Sequence, residues 1–257
     1  MHTQSLFERI CTPLFSHPSR ISRTEHSVNG KRGTTIFNFI FDNGKAALMA
    51  GDRMTISSSS DIHSLHSVKV HPIGNNVLIA GCGLVSDIQL CIRSLKHLSE
   101  SLSQDTGQEL TAFGKAKLFR RLLELSGGNL EAQFLLAGYD LTLKAFVRNY
   151  ENSGACYAAK YFADGSGGRE ARGVLDNSWD KNMNQEEAIQ LAVRAMLQAG
   201  KRNTWTANPF LSPFSIHIMS TRGIYSVPEK IITTVIERER VMYEKRHRDV
   251  QEQEEIL

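Results

Sequence analysis

The stretch GTTIFNFIFDNGKAALMAGD, residues 33–52, predicts a β-hairpin that begins with Gly-Thr-Thr. Asn43-Gly44 separates two runs of strand-forming residues, and both turn residues tolerate the positive φ angles of a tight hairpin. The Thr34-Thr35 pair has two interpretations. In the first, β-branched residues simply favour the strand. In the second, the Gly33–Thr34 bond is cut, and Thr34 becomes a new N-terminus that carries a hydroxyl nucleophile and an amine base on one residue.

The length and composition favour one large domain. The 257 residues, 41% of them apolar, are enough to form one sizeable core. Four cysteines without CxxC spacing fit neither a disulfide framework nor a zinc site, which predicts a reducing compartment and a cytoplasmic location. No apolar run reaches the roughly 18 to 20 residues that span a bilayer, and the N-terminus lacks the apolar centre of a secretory signal. We therefore expect a soluble protein.

The positive charge is confined to the N-terminal segment. Residues 1–33 contain five basic and two acidic residues, which accounts for the whole net charge of +3. The basic character therefore belongs to this leader and does not predict a nucleic-acid surface on the body. An Arg- and Ser-containing, acid-poor leader is also typical of an organelle transit peptide, although this one has no clear amphipathic period.

The chain after the first hairpin alternates between groups of strands and pairs of helices. Residues 53–67 contain a serine run that predicts a loop or irregular strand, and residues 68–83 predict two strands. Ser86 begins a capping-box pattern that predicts the start of a helix. A second helix is expected from about Leu110 to Leu125, ending at Gly127-Gly128.

The second half repeats this alternation. The strands AQFLLAGYD, LKAFVRNY and CYAAKYFADG precede a helix after Ser166-Gly167-Gly168 and another that begins at Asn184, with Glu187 at the capping-box position. A last hairpin and a charged terminal helix follow. Paired helices between hairpins do not fit the βαβ alternation of a parallel sheet. They predict an α+β fold in which two antiparallel sheets pack together and helix pairs cover both outer faces.

Several linked motifs resemble those of proteasome β-type subunits, and the bacterial, actinobacterial type is the most similar. They occur in the order found in that family: GTTIFNF, AALMAGDR, VKVHPIGNNVLIAGCGLVSDIQ, FLLAGYD, DGSGGREARGVLD and NQEEAIQLAVRAMLQAGKRN. The resemblance implies the four-layer α-β-β-α sandwich of N-terminal-nucleophile hydrolases. It also implies a propeptide at residues 1–33, a catalytic domain at residues 34–228, and a charged C-terminal helix and tail at residues 229–257.

The resemblance further implies a threonine endopeptidase in which Thr34 is the nucleophile. A threonine hydroxyl needs a nearby base, and a freed α-amine with a pKa of about 8 is suited to that role. Lys69 aligns with the active-site lysine of the family, and Asp52 with the acidic residue that orients it. Taken alone, Lys69 is typical of a surface strand lysine, and Asp52 of a turn or cap residue.

Two further positions carry the family's site. Gly83 matches the glycine whose backbone N–H stabilises the oxyanion, and Ser166 matches the serine whose hydroxyl contacts the nucleophile's amine. By themselves, Gly83 is typical of a turn, and the glycine-rich sequence around Ser166 of a tight turn or an anion site.

Two supporting positions depart from the family pattern. Asn203 and Thr206 stand where the family has an aspartate and a serine. Thr206 keeps a hydroxyl, whereas Asn203 removes a carboxylate. We therefore expect a slower reaction with an unchanged fold, and Asn203→Asp is expected to hold or raise the rate. Met54 replaces a residue that is commonly polar, and the first hairpin is enlarged by two residues.

The resemblance places Thr55, Gly81 and Val85 at the substrate pocket. Gly81 falls at the pocket floor, and a glycine there is expected to leave a roomy pocket that accepts bulky apolar residues before the cut.

The resemblance implies unfolded polypeptides as substrates and other β subunits in a seven-membered ring as partners. It also implies α-type subunits and an ATPase regulator, and no cofactor. Two alternatives stay open: a β-type ring protease that acts without α subunits, and a non-catalytic structural subunit. A degenerate subunit normally loses the threonine or the lysine, and this chain has both.

Other chemistries have weaker support in the sequence. His63, His66 and His71 lie near one another, but no helical i, i+4 pair or carboxylate triad accompanies them, so we predict no metal site. Cys82 is better interpreted as a small buried hydrophobe than as a reactive thiol.

Overall fold

The computed structural model describes residues 33–56, 62–142, 144–210, 212 and 214–254, with side chains described up to residue 242. The predicted leader up to residue 32 and the serine run at residues 57–60 lie outside these ranges.

The described residues form two five-stranded antiparallel sheets and a short two-stranded ribbon. The first sheet has the strand order β10-β1-β2-β11-β12, the second has the order β5-β6-β7-β8-β9, and β3 pairs with β4 in the ribbon. The strands are β1 (Thr35–Phe41), β2 (Ala46–Gly51), β3 (Thr55–Ile56), β4 (Ile62–Ser64), β5 (Val70–Ile73), β6 (Val77–Gly83), β7 (Ala132–Asp140), β8 (Lys144–Tyr150), β9 (Cys156–Ala159), β10 (Tyr161–Gly165), β11 (Ser215–Ser220) and β12 (Gly223–Ser226).

Helices cover the outer face of each sheet. Those of the described residues are α1 (Val85–Thr106), α2 (Ala112–Leu125), α3 (Gly168–Ser178), α4 (Gln185–Arg202) and α5 (Glu229–Glu254). Helices α1 and α2 pack on the second sheet, whereas α3, α4 and α5 pack on the first. None of them combines the length and the apolar composition that crossing a membrane requires.

Three buried layers hold these elements together. In β1, Ile36 packs between the sheets, and Phe37 and Phe39 face the helices on the other side. A strand that is buried on both faces needs apolar residues at consecutive positions, which explains the continuous apolar runs in the sequence. The predicted α-β-β-α sandwich is therefore confirmed.

The hairpin of β1 and β2 is also confirmed. Asp42, Asn43 and Gly44 all have positive φ angles, of 50°, 53° and 83°, and form a 3-10 turn between Phe41 and its register partner Ala46. Asp, Asn and Gly are the residues that adopt this conformation at least cost.

The predicted start of the first helix is wrong. Helix α1 begins at Val85, and its N-cap residue is Leu84, which makes no side-chain cap. Asp87 instead accepts a hydrogen bond from the backbone N–H of Glu131 at 2.9 Å, and Leu84 N–H donates to the Glu131 carbonyl at 2.7 Å. Contacts with Glu131, the residue before β7, therefore define the helix start. Capping rules consider only residues close in sequence, so they could not predict it.

Two other boundaries differ from the prediction. Helix α2 begins at Ala112 rather than near Leu110, because the Thr111 hydroxyl caps it by accepting from Gly114 N–H at 3.1 Å. The segment CYAAKYFADG was predicted as one strand, but it divides at Lys160 into β9 and β10. These two strands form the edges of different sheets, so the chain crosses from one sheet to the other at this point.

Helix α4 has the predicted capping box. The Asn184 side chain accepts from Glu187 N–H at 3.0 Å, and the Glu187 carboxylate accepts from Asn184 N–H at 2.8 Å. We expect Asn184→Ala to lower the free energy of unfolding by about 1 kcal/mol, because it leaves helix N–H groups without a partner. Urea denaturation measures this change. The matched control is Asn182→Ala in the preceding exposed turn, where only the backbone N–H is bonded, to Asp180; an equal loss in both variants would contradict the capping role.

Candidate active site

The two strands of the first hairpin bring Thr34 and Asp52 together. Thr34 directly precedes β1 and Asp52 directly follows β2. Antiparallel pairing sets Asp52 beside Thr35: Asp52 N–H donates to the Thr35 carbonyl at 3.0 Å, and Thr35 N–H donates to Asp52 Oδ1 at 2.7 Å. Thr34 is thus held directly before β1, at a fixed position relative to the carboxylate.

Asp52 is fully buried and accepts hydrogen bonds on both carboxylate oxygens. Besides Thr35 N–H, Oδ1 accepts from Lys69 Nζ at 2.7 Å, and Oδ2 accepts from Met54 N–H at 3.1 Å. A buried carboxylate is costly unless it is paired and hydrogen-bonded, and this one is both. Asp52 therefore orients Lys69 through a dense local network.

Lys69 connects the residues around the Gly33–Thr34 bond. Its Nζ lies 3.2 Å from Thr34 Oγ1 and 2.7 Å from the Gly33 carbonyl oxygen, in addition to its bond with Asp52. An ammonium has three N–H donors, so these three contacts use all of them. Burial lowers the pKa of Lys69, while the Asp52 carboxylate opposes that shift. Lys69 is therefore easier to deprotonate than a solvent-exposed lysine.

Ser166 directly follows β10, the strand that pairs with β1, and contacts the backbone of Thr34. Thr34 N–H donates to Ser166 Oγ at 3.3 Å, and the Ser166 hydroxyl donates to the Thr34 carbonyl at 3.2 Å. Gly165, just before it, has φ +86°, and a Cβ there would lie 2.1 Å from the Thr34 carbonyl oxygen. The absence of a side chain at residue 165 allows β10 to approach the start of β1 this closely.

Gly83 lies at the end of β6, at the rim of a cleft that also includes Ser166. Its φ is +120°, and a Cβ at this position would lie 2.2 Å from the Glu131 carbonyl oxygen. Both observations require glycine.

Asn203 supports Ser166 through its amide group. Its Nδ2 donates to the Ser166 carbonyl, and its Oδ1 accepts from Trp205 N–H at 2.8 Å. An aspartate would place an oxygen against the Ser166 carbonyl. This contact changes the expectation that Asn203→Asp holds or raises the rate: we now expect the substitution to disturb Ser166.

Thr206 contacts Thr35. The two hydroxyls are 2.7 Å apart and both residues are buried. Sequence patterns gave no indication of this pair, because it joins residues 171 positions apart. This hydrogen bond helps to fix the position of Thr35, the first residue of β1.

The three pocket residues named from the resemblance lie on β3, β6 and α1. Thr55 is hydrogen-bonded to the Ser67 hydroxyl, and Val85 is half-exposed at the start of α1. The space above Gly81 is not open as expected: a Cβ there would lie 2.9 Å from Ile88 Cγ2 and 3.1 Å from Phe134 Cδ1. Ile88 was missed as a pocket residue, although the helical period puts it one turn after Leu84, above β6.

Within the described ranges, no three or more His, Cys, Asp or Glu side chains lie close enough to hold a metal ion. His63 and His66 are exposed, and burial lowers the pKa of His71.

Comparison with known proteins identifies the family. The model of the family described as "Proteasome subunit" matches residues 30–210, which contain every candidate site residue named above. The chain belongs to the proteasome subunit family.

Relatives named as beta subunits match most of this proteasome subunit. "Proteasome subunit beta" of Methanocaldococcus vulcanius is 27% identical over 207 residues, covering 80% of this chain and 90% of the relative. "Proteasome subunit beta 1" of Thermococcus gammatolerans is 30% identical over 181 residues, covering 70% of this chain and 88% of the relative. The chain is a proteasome β-type subunit, and its similarity to the actinobacterial type stays a prediction.

The contact between Asn203 and Ser166 can be tested by its effect on stability. We expect Asn203→Asp to lower the free energy of unfolding by about 1 to 2 kcal/mol, because the Ser166 carbonyl loses its donor and faces an anionic oxygen. Asn208→Asp is the matched control, since the exposed Asn208 makes the same i to i+2 contact with Phe210 N–H but does not contact Ser166. Urea unfolding of both variants measures the difference; similar stabilities would refute the role of the amide donor.

Proposed function

We propose that this β-type subunit is a threonine endopeptidase, and that its nucleophile is the hydroxyl of Thr34 after the Gly33–Thr34 bond has been cut. The observation that carries the proposal is the position of Lys69 Nζ, which contacts Thr34 Oγ1, the Gly33 carbonyl and Asp52 together. This lysine joins the nucleophile, the scissile carbonyl and a buried carboxylate.

In the mature protein, the Thr34 amine is the base that activates its own hydroxyl. Ser166 Oγ is already within 3.3 Å of this nitrogen. The nearby Lys69 ammonium disfavours a second positive charge, which keeps the amine neutral and able to accept a proton. Thr34 Oγ attacks the substrate carbonyl carbon, the Gly83 N–H stabilises the oxyanion, and the amine passes the hydroxyl proton to the leaving nitrogen as the C–N bond breaks. Water then hydrolyses the ester on Thr34.

Removal of the leader has to proceed without that amine, because the Thr34 nitrogen is an amide in the uncut chain. The donation of Lys69 to the Gly33 carbonyl polarises the bond that Thr34 Oγ attacks. The charged ammonium has no lone pair for the Oγ proton, whereas the neutral amine has one. Attack forms an ester between Gly33 and Thr34 Oγ and frees the amine, and water releases residues 1–33. The leader thus keeps the peptidase inactive until the cut.

The proposed assembly follows the relatives, which are named as proteasome beta subunits. We infer that residues 34–228 act as the catalytic domain in a ring of β subunits in the cytoplasm, with α-type subunits and an ATPase, and degrade unfolded polypeptides. A ring without α subunits is the alternative assembly. A non-catalytic role is disfavoured because Thr34, Lys69 and Asp52 are all present and in contact.

The nucleophile can be tested by intact mass and peptide hydrolysis. We expect the wild type to lose residues 1–33, and Thr34→Ala to retain them and lose peptidase activity, since it has no Oγ. Thr34→Ser keeps a hydroxyl and is the matched control, which should still remove the leader. If Thr34→Ala is trimmed to Gly33 by its own assembly and still cleaves peptides, the nucleophile is misassigned.

Leader removal should accelerate as the pH rises. Below its folded-state pKa Lys69 is an ammonium and cannot accept the Thr34 proton. The neutral fraction of the lysine grows as the pH is raised, and burial, by lowering that pKa, brings this growth to lower pH than for an ordinary lysine. The measurement is the rate of mass loss in freshly assembled precursor between about pH 6 and 9. A Lys69→Met variant should lack this acceleration. A rate that is flat or that falls with rising pH in the wild type is the contrary result.

A further inference from the structure

A cleft of about 470 Å³ opens beside the candidate nucleophile. The ends of β6 and β10 and the start of β7 line it, and its wall includes Gly83 and Ser166. It shares no residue with the proposed pocket at Thr55, Gly81 and Val85. The cleft is therefore separate from that pocket, although both adjoin the candidate site.

The contacts of Thr34 indicate which half of a substrate enters this cleft. The base that takes the proton from Thr34 Oγ also delivers it to the leaving nitrogen, so that nitrogen must approach the Thr34 amine. Ser166 contacts the Thr34 nitrogen and lines the cleft. Gly33, which is the acyl half in self-cleavage, packs instead toward Ile56 and Trp205. The leaving half of a substrate therefore lies on the cleft side.

The cleft wall carries negative charge. Asp164 is half-buried; its Oδ1 accepts from Gly165 N–H at 2.7 Å, and its Oδ2 accepts from Asn149 Nδ2 at 3.4 Å. Both donors are neutral, so neither contact cancels the charge of the carboxylate. No lysine, arginine or histidine is among the described residues that line the cleft. A recess with charge of one sign attracts the opposite charge.

We propose that this cleft binds the substrate segment that follows the cleaved bond, and that Asp164 selects a basic side chain in that segment. The proposal rests on the threonine peptidase function proposed above. It concerns only the leaving half of the substrate, so a change in the Asp164 carboxylate should alter the preference after the cut and not the preference before it.

The test uses internally quenched peptides that differ only at the two positions after the cut, which carry Arg, Gln or Glu. Mass spectrometry of the products verifies the cleavage position. We expect kcat/KM in the mature assembled protein to be about three- to fivefold higher for the Arg peptide than for the Glu peptide, with Gln between them. The preference should shrink at 0.5 M NaCl, because salt screens the Asp164 carboxylate.

Variants identify the source of the preference. The variant Asp164→Asn removes the charge, while the asparagine keeps an oxygen for Gly165 N–H. We expect its Arg-to-Glu ratio to fall to near one. Glu237→Gln, an exposed position on α5, removes one charge elsewhere and should keep the wild-type ratio. A peptide with a small fluorescent amide in place of the leaving segment corrects for changes common to all substrates.

Equal cleavage of the Arg and Glu peptides by the wild type overturns this proposal, and so does a preference that survives in Asp164→Asn. Either result leaves the peptidase function intact, because Thr34-dependent cleavage is still observed. If neither the peptides nor the small amide substrate is cleaved in a Thr34-dependent way, both proposals fail.

Discussion

The buried carboxylate of Asp52 is the interaction on which the candidate site depends. It accepts hydrogen bonds from Thr35 N–H, Met54 N–H and Lys69 Nζ while being fully excluded from solvent. Such a group is stable only when every partner is in place. It therefore fixes the start of β1, the end of β2 and the lysine that precedes β5 in one arrangement.

Much of the fold could be predicted because local sequence and tertiary packing agree. The Asn43-Gly44 turn, the capping box of α4 and the apolar runs of the buried strands each predict their own element, and grouped strands and paired helices predict the layers. The sequence could not predict the start of α1, because Asp87 and the backbone of Glu131 define it, and these residues are 44 positions apart. The division at Lys160 was missed for a similar reason, since β9 and β10 join different sheets.

The candidate site was predicted through the resemblance rather than through local patterns. Thr34, Asp52, Lys69 and Ser166 do lie together. The resemblance did not predict how substituted residues make new contacts. The Asn203 amide donates a hydrogen bond to the Ser166 carbonyl, and a carboxylate in the same place could not do so. The contact therefore depends on which end of the amide group faces Ser166.

The surroundings of Gly81 and the contact between Thr35 and Thr206 could not be predicted from the resemblance either. The absence of a side chain at Gly81 does not leave a void, because Ile88 and Phe134 fill the space. Protein cores are generally close-packed in this way. Thr206 keeps the hydroxyl of the family's serine, but that hydroxyl pairs with Thr35. For Gly81 and for Thr206, the residue type alone did not predict the contacts, because these depend on other residues that the fold brings close.

The position of the site at the ends of strands separates it from the outer surface of the molecule. Thr34, Asp52, Lys69, Gly83 and Ser166 all stand at or next to a strand terminus, and the exposed faces of the helices lie on the far side of each sheet. Substitutions on those outer faces can accumulate without moving any of the five residues. The two relatives compared above are only 27 and 30% identical to this chain. Evolution can thus alter what the molecule docks against independently of the chemistry it performs.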